Sequence, residues 1–585
     1  MRNIFMLLSA VMGIFYYYLI QVDISKIEQN SFIINSQINQ ETKFHIQTIG
    51  KEASLICNDK EILFDSKTPH TYFYRGQEEI FIPLKRGENR CLSQNLAPKI
   101  AHKIGYIDSI VLFILVGIPI FNILFYMLIS SIKLCKVMLL SSQKKDSIYY
   151  EGGLESITLQ NIYIKLIWFI LFAGVVVRIA YFQKYGIMVF QHDWHGHIAF
   201  IKHIAQNWTL PPIPTKSLEY PQQPLYYLIT GGIYSLLQKI GFNSDDAIYG
   251  VGYFSLFCSI IFLYYSYLFS KLLTKNLWVQ MVVTLFVSLT PSIVYLSARI
   301  NNDSLVLLLS ILALYYIIKS YQYSFDKNFY IALLATTLLF LTKISAFGVE
   351  LLFFILLVIE YYKANYTQEK IIRKKLYLFS IVGIFLLCFT LLRVYLPLEE
   401  GFHMVNSAKF PKQTIESLDI NYFLSFNIIE LISKGYSYVF GEDNIRYSFL
   451  TYQYGTMFFG EADYSYFINR SSSLLITMQT ILTLGLLYLI GFISYIIHLR
   501  HQSLLYKILF AILSINVILI IKFLWDYPSI CNSDFRYFVP SFIILGVIFA
   551  RGLEQIRSIK IVKWSIDIAL LLLLCAELFF FYFLL

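Results

Sequence analysis

Long apolar runs separated by short polar loops make up most of this chain. A helix needs about 20 apolar residues to cross the hydrocarbon core of a bilayer, and many of these runs are that long. We therefore predict an all-α polytopic membrane protein with roughly 13 transmembrane helices. The predicted spans lie near residues 4–21, 106–133, 162–182, 249–272, 277–297, 303–320, 328–345, 347–362, 376–396, 474–498, 504–525, 536–552 and 562–583.

Residues 22–105 break this pattern because they are polar and strand-like. Lys43–Ile49 alternates polar and apolar side chains, as a strand with one buried face does. We predict a small extracytoplasmic β-sandwich-like domain here, behind an uncleaved signal-anchor helix over residues 1–21. Cys57 and Cys91 fall within it, where an oxidising compartment would allow a disulfide; two free thiols are the alternative.

Basic residues decide how the other apolar segments are oriented. Residues 224–240 are near the lower length limit for a span. If they crossed the membrane, Lys271, Lys275 and the basic cluster at 363–375 would lie outside, against the positive-inside rule. We therefore predict that 198–208 and 224–240 are juxtamembrane helices, and the amphipathic pattern of the first supports this.

These assignments divide the chain into consecutive regions. After the β-domain, a second span and a basic cytoplasmic loop occupy 106–160. A transmembrane core covers 161–396 and contains a first external loop at 183–223. A large extracytoplasmic loop follows at 397–472, and C-terminal transmembrane helices cover 473–585.

The composition agrees with a membrane protein. Only 14% of residues are charged and 57% are hydrophobic, whereas soluble proteins have roughly a quarter charged residues. The net charge of +10 comes from basic residues in short loops between apolar runs, so it indicates orientation rather than nucleic-acid binding. The seven cysteines show no metal-binding spacing.

An ionisable cluster follows the third predicted span. It contains Asp193 together with His192, His195 and His197. A carboxylate at the membrane surface can act as a general base toward an acceptor hydroxyl or amine. Asp193, His195 and His197 could also hold a divalent metal. The alternative is that all four are ordinary solvated residues at the interface.

A proline-framed turn follows at 219–224. Its polar members could bind sugar hydroxyls, or the turn could simply start a helix; the candidates are Glu219, Tyr220, Gln222, Gln223 and Tyr226.

Other polar residues lie at the ends of later spans. Asn302 or Asp303 could cap a helix. Lys343 lies in an apolar run, where a cation needs an anionic headgroup or a carboxylate such as Glu350 as its partner. Arg536, followed by Tyr537, could bind a phosphate or mark the interface. Arg178 and Arg393, near outer helix ends, could snorkel toward water.

The order of these motifs resembles that of the GT-C glycosyltransferases, near the bacterial protein-mannosyltransferase and aminoarabinose-transferase group. The resemblance covers about residues 160–585. It implies that Asp193 is the catalytic carboxylate of the first external loop, that Tyr220–Tyr227 lines the site, and that Lys343 and Arg536 bind the phosphate of a polyprenyl-linked donor. His192 and Trp194 flank Asp193 where many members have paired acids, so metal dependence stays open. Gln222 and Gln223 replace a basic residue and a proline, so substrate identity stays open too.

The expected function is inverting glycosyl transfer from a polyprenyl-phosphate (or diphosphate) sugar to an extracytoplasmic lipid, glycan or protein acceptor. The expected location is a bacterial inner membrane, with membrane lipids as neighbours and no nucleic acid. The loop 397–472 would close over the acceptor, with Glu399, and also Glu400 and His403, as secondary site candidates. A transporter or flippase of a lipid-linked sugar is the alternative, although no paired repeat is evident.

Overall fold

The computed structural model describes two compact units, Met1–Ser156 and Ile157–Leu585. The residues that it describes are 22–28, 31–36, 40–48, 54–58, 60–62, 77–84, 87–94, 96–103, 154–187, 194–211, 220, 222–323, 326–364, 366–395, 415, 418–434, 448–460, 472–526, 528, 530–558 and 560–585. The predicted spans at 4–21 and 106–133 lie outside this set.

Strands occupy the described part of the first unit. They are β1 (Val22–Glu28), β2 (Ser31–Ser36), β3 (Gln40–Thr48), β4 (Ser54–Cys57), β5 (Lys60–Ile62), β6 (Gln77–Leu84), β7 (Gly87–Gln94) and β8 (Leu96–Lys103). They form two antiparallel sheets, ordered β1-β2-β7-β4-β5 and β6-β3-β8. That they make an extracytoplasmic domain stays a prediction.

The two cysteines of this region are neighbours in one sheet. Cys57 of β4 is directly opposite Cys91 of β7 in the strand register. Cys57 is buried and disulfide-bonded. The backbone register therefore brings together the two residues for which the sequence suggested a bridge.

Helices make up the described part of the second unit. They are α1 (Leu154–Tyr185), α2 (Trp194–Asn207), α3 (Leu225–Lys239), α4 (Ser244–Leu273), α5 (Leu277–Leu289), α6 (Pro291–Tyr295), α7 (Asp303–Gln322), α8 (Asn328–Phe340), α9 (Phe347–Lys363), α10 (Tyr366–Thr390), α11 (Ile420–Leu424), α12 (Ile428–Lys434), α13 (Phe449–Phe459), α14 (Ser472–Ile497), α15 (Leu504–Asp526), α16 (Phe542–Ile556) and α17 (Lys560–Leu584). Tighter 3₁₀ turns, Ile344–Ala346 and Phe535–Ser541, lead into α9 and α16, and a π turn, Leu391–Tyr395, ends α10.

Nine helices in the described residues are long and apolar enough to cross a membrane. The protein is therefore an integral membrane protein, as predicted. Two further predicted spans correspond to shorter apolar helices, α5 and α8. The first is interrupted at Thr290-Pro291, because proline has no N–H to continue the helix. The total of roughly 13 spans stays a prediction.

The interruption between α5 and α6 is stabilised by Arg178 of α1. Pro291 cannot donate to the carbonyl of Val287, and Arg178 Nη2 donates to that oxygen instead, at 3.2 Å. Arg178 Nη1 donates to the next carbonyl, Ser288, at 2.6 Å, and Arg178 Nε donates to Ser259 Oγ at 2.8 Å. Arg178 is fully buried, so the expectation that it snorkels toward water is wrong.

Close packing of α14 on α16 depends on two glycines. A Cβ atom on Gly552 would overlap the backbone carbonyl oxygen of Gly491 in the neighbouring helix. Ser494 Oγ also donates to the Gly552 carbonyl at 2.8 Å. Small residues at such a crossing allow the close backbone contact that drives helix association in lipid.

We predict that Arg178→Lys destabilises the protein by about 3 kcal/mol, because a single ammonium cannot reach all the acceptors of the guanidinium. Thermal unfolding in detergent measures the change. Lys184→Ala is the matched control, since Lys184 is an exposed cation on the same helix and its loss should cost less than about 0.5 kcal/mol. If Arg178→Lys were as stable as the wild type, the role assigned to the Arg178 guanidinium would be contradicted.

We predict that Gly552→Ala prevents α14 and α16 from docking, with a loss of about 3 kcal/mol or more from overpacking. Gly383→Ala on α10 is the control, because a Cβ atom there meets nothing within 4 Å. The control should be neutral or more stable by up to about 1 kcal/mol, as expected for alanine in a helix. Size-exclusion profiles and thermal unfolding report both effects. Equal stability of the two variants would contradict the close contact between α14 and α16 at Gly552.

Candidate functional site

The helices α2 and α3 form the base of the candidate site. Their packing surface is created by a glycine: a Cβ atom on Gly231 of α3 would come within 2.7 Å of Ile204 Cγ2 on α2. The apolar face of α2 is buried, including Phe200, whose ring stacks on Tyr227 at 3.9 Å between centroids. This packing points the first turns of both helices toward the same polar cluster.

A continuous chain of hydrogen bonds links α2, the proline-framed turn, α3 and α7. His197 Nδ1 lies 2.7 Å from the Tyr227 hydroxyl, and that hydroxyl donates to Gln222 Oε1 at 2.8 Å. Asn302 Nδ2 donates to the same Gln222 oxygen at 2.8 Å and to the Thr342 carbonyl at 3.2 Å. We call His197, Tyr227, Gln222 and Asn302 the polar chain.

The polar chain defines one tautomer of its histidine. The Tyr227 hydroxyl has a single proton, which it donates to Gln222, so His197 must donate from Nδ1 to the Tyr227 oxygen. In the neutral imidazole, Nε2 is then an acceptor. His197 is 5% exposed, which suits a ring held for orientation rather than free in solvent.

An ion pair lies directly beside the polar chain. Lys343 Nζ donates to Asp303 Oδ1, and Asn301 Nδ2 donates to Asp303 Oδ2 at 3.2 Å. The Lys343 side chain is 19% exposed while that of Asp303 is 3% exposed, so the cation is at the surface of the cluster. Lys343 Nζ also lies 5.5 Å from the ring centroid of Tyr537, within range of a cation–π contact.

Two arginines complete a positive cluster around Asp303. Arg299 and Arg536 both interact electrostatically with the Asp303 carboxylate. They line a small cleft together with Thr456, Gly460 and Asp534. We call Arg299, Lys343 and Arg536 the basic cluster.

Three membrane-spanning segments begin at the basic cluster. The candidate spans Asp303–Gln322, Ile344–Lys363 and Phe535–Ile556 start next to Arg299, Lys343 and Arg536, respectively. Helix N-termini have partly positive backbone N–H groups, so they favour anions at the same place as the basic side chains.

The structure changes the roles suggested for two residues of this cluster. Asn302 is the N-cap position of α7, but its side chain makes no capping bond and donates to Gln222 and Thr342 instead. The partner of Lys343 is Asp303 and not Glu350. Neither Glu350 oxygen has a hydrogen-bond partner among the described residues.

The turn residues separate into different environments. Gln223 faces away from Gln222, and its Nε2 donates to Thr390 Oγ1 at 3.0 Å. Burial raises the pKa of the Tyr226 phenol, and its hydroxyl interacts with Ser255 of α4. Tyr220 is half-buried, and its carbonyl accepts from Arg393 Nη2 at 3.0 Å. Gln223 and Tyr226 are therefore supporting residues rather than members of the polar chain.

The histidines at 195 and 197 diverge because both lie on α2. Residues two apart on a helix do not face each other, and here His195 is exposed while His197 is buried. These two side chains are therefore not arranged as ligands of one ion. The described residues contain no group of three or more potential metal ligands.

Several predicted site residues lie outside the described residues. They are His192, Asp193, Glu219, Glu399, Glu400 and His403. Their roles stay predictions.

Two residues that matter in this geometry, Arg299 and Arg393, were not singled out as site residues by the sequence, and a third, Tyr227, was included only as the end of the range Tyr220–Tyr227. Tyr227 connects the polar chain, Arg299 belongs to the basic cluster, and Arg393 donates to the carbonyls of Pro211 and Tyr220 on either side of residues 212–219. Tyr227 and Arg299 are close in sequence to predicted site residues, and this proximity is the feature of the sequence that could have identified them. Nothing local indicated that Arg393 would have these two backbone partners, and that it snorkels stays a prediction.

A comparison with protein-family models gives no match to this sequence, and neither does a comparison with curated proteins.

We predict that Tyr227→Phe destabilises the protein by about 1–3 kcal/mol, because it leaves buried groups of His197 and Gln222 without the shared hydroxyl. Tyr488→Phe is the matched control: both rings are fully buried, but the Tyr488 hydroxyl has no hydrogen-bond partner among the described residues. Its effect should stay within about 0.5 kcal/mol. Thermal unfolding measures both variants, and equal losses would contradict the hydrogen-bond assignment.

Proposed function

We propose that this protein is a membrane glycosyltransferase that moves a sugar from a polyprenyl-phosphate donor to an extracytoplasmic lipid, glycan or protein acceptor. The observation that carries the proposal is the basic cluster at the start of three spans, in which Lys343 pairs with the buried Asp303 carboxylate and Arg299 and Arg536 also interact electrostatically with it. A bacterial inner membrane with the cluster on its outer side fits the distribution of basic loops.

The charge arrangement suits a phosphate at the membrane surface. Arginine binds phosphate through two parallel donors, and lysine contributes a compact charge. The cations and helix N-termini are already in position, so little reorganisation is needed when an anion arrives. The Lys343 ammonium is the most accessible part of the ion pair, and an incoming phosphate would compete with Asp303 for it.

The proposed reaction is an inverting displacement at the anomeric carbon. Asp193 would take the proton of the acceptor hydroxyl or amine while the acceptor atom forms its bond to that carbon. The bond between the anomeric carbon and the phosphate oxygen breaks, and its electron pair leaves with the polyprenyl phosphate. The leaving group gains negative charge in this step, so Lys343, Arg536 and Arg299 would stabilise the transition state more than the ground state.

The polar chain offers a surface for the sugar itself. Gln222 and Asn302 are amides held in fixed positions beside the cations, and amides can both donate to and accept from hydroxyl groups. The loop 397–472 would cover the acceptor, with Glu399, Glu400 and His403 near its start. The N-terminal strands would belong to a domain on the same side of the membrane.

The test is transfer from a panel of radiolabelled polyprenyl-phosphate sugars in membranes with wild type, Asp193→Asn or Lys343→Met, each with and without a chelator. We expect Asp193→Asn to lose transfer while it still binds donor. We expect Lys343→Met to lower turnover by about a hundredfold, the usual effect of removing a group that stabilises developing charge. Sensitivity to the chelator would show that a metal takes part.

Asp245→Asn is the control for these variants, because Asp245 is an exposed carboxylate at the start of α4 whose backbone N–H, not its side chain, makes the capping contact. It should transfer at the wild-type rate. Equal transfer by wild type and Asp193→Asn would exclude Asp193 as the base. Movement of the lipid-linked sugar across the bilayer without any transfer would favour a flippase.

A further inference from the structure

Two short helices outside the candidate spans expose large apolar side chains. Ile420 and Leu424 of α11 are 71% and 67% exposed, and Ile429 of α12 is 82% exposed. Ile420 and Leu424 are four residues apart, so they lie on the same face of α11. Neither helix is among the segments that could cross the membrane. Exposed apolar side chains in such a group indicate an interaction surface.

The level of α12 along the bilayer normal can be deduced from its contact with α14. Gln479 Nε2 of α14 donates to the carbonyl of Ser433 near the end of α12, at 3.2 Å. Gln479 follows the first residue of α14, Ser472, by seven positions. At 1.5 Å per residue, this contact is about 10 Å along α14 from its N-terminal end.

The length and polarity of α14 place this level at the membrane boundary. Its 26 residues extend about 39 Å, which exceeds the hydrocarbon thickness of about 30 Å by about 9 Å. The N-terminal half contains the polar residues Ser472, Ser473, Thr477, Gln479, Thr480 and Thr483, while the second half is almost wholly apolar. The excess length therefore belongs at the N-terminal end, and Gln479 lies where headgroups meet hydrocarbon.

We propose that α11 and α12 form an interfacial anchor, in which Ile420, Leu424 and Ile429 insert into the outer leaflet of the same bilayer that the spans cross. On α14, Ile476 is also 60% exposed, one turn before Gln479. Apolar faces of interfacial helices are buried about 5–10 Å into the boundary between headgroups and acyl chains, and α12 contacts α14 at that boundary.

The anchor is connected to the candidate site through α13. Ser448 Oγ donates to the Ser425 carbonyl at 2.6 Å, and the Asn427 N–H donates to Thr451 Oγ1 at 2.8 Å. These bonds join the segment between α11 and α12 to the first turn of α13. At its other end, α13 supplies Thr456 to the cleft that contains Arg299 and Arg536. Contact of α11 and α12 with the bilayer surface would therefore fix the position of α13, which forms one wall of the cleft, along the bilayer normal.

The test places a tryptophan reporter on the anchor in the full chain, reconstituted in phosphatidylcholine vesicles. The lipids carry bromine, a quencher of tryptophan, either near the headgroup end or near the methyl end of the acyl chain. Ile429→Trp should fold, because the Ile429 side chain is 82% exposed and a larger side chain at this position would not overlap the protein core. The added emission, measured against wild type, should be quenched at least about twofold more by the shallow bromine than by the deep one.

Lys327→Trp is the control reporter. Lys327 is an exposed cation in the turn between α7 and α8, and its side chain makes no capping bond to α8. Its added emission should respond to an aqueous quencher and not to bromine on the acyl chains. The anchor is refuted if the reporter in Ile429→Trp behaves like this control. Stronger quenching by the deep bromine than by the shallow one would also refute it, because the segment would then lie in the bilayer interior rather than at the interface. Neither result depends on glycosyl transfer, so the anchor and the proposed function are tested separately.

Discussion

A polar group inside a bilayer must find its partner within the protein, because lipid supplies none. The helical unit follows this constraint wherever its regular structure is interrupted. At the break before Pro291, the fully buried Arg178 supplies the N–H groups that the proline and the shortened helix cannot. The arginine requires no carboxylate there, since its partners are carbonyls and the hydroxyl of Ser259. The charged side chain of Arg178 thus stabilises the break between α5 and α6.

The same constraint explains why a carboxylate lies within the basic cluster. Lys343 interrupts an apolar stretch, and its charge is balanced by Asp303 at the first turn of α7. Removing one partner of such a pair is costly, whereas the complete pair is tolerated. Because the carboxylate is buried and the ammonium is at the surface, an anion can reach the cation first. The pairing with Asp303 therefore balances the charge of Lys343, and in the proposed function the same ammonium would contact the phosphate.

The polar chain connects this electrostatic centre to helices α2 and α3. Gln222 accepts from both Tyr227 and Asn302, so α3 and α7 share one acceptor. Arg393 adds a second connection, since it donates to two carbonyls on either side of residues 212–219. With the membrane-bound α11 and α12 supporting α13, each wall of the site would be positioned by a different part of the chain.

The sequence by itself determined that this is a helical membrane protein, because apolar run length and basic loops depend on local composition alone. It also identified Gln222, Asn302, Asp303, Lys343 and Arg536 as unusual, since polar residues at the ends of apolar runs stand out without any structure. Only the tertiary structure decided their partners. Asp303 and Lys343 are forty positions apart, and adjacent Gln222 and Gln223 face different helices, Asn302 in one case and Thr390 in the other. Such choices depend on which helix ends meet in space, and that is set by packing at positions such as Gly231 and Gly552, which a one-dimensional pattern of polarity does not encode.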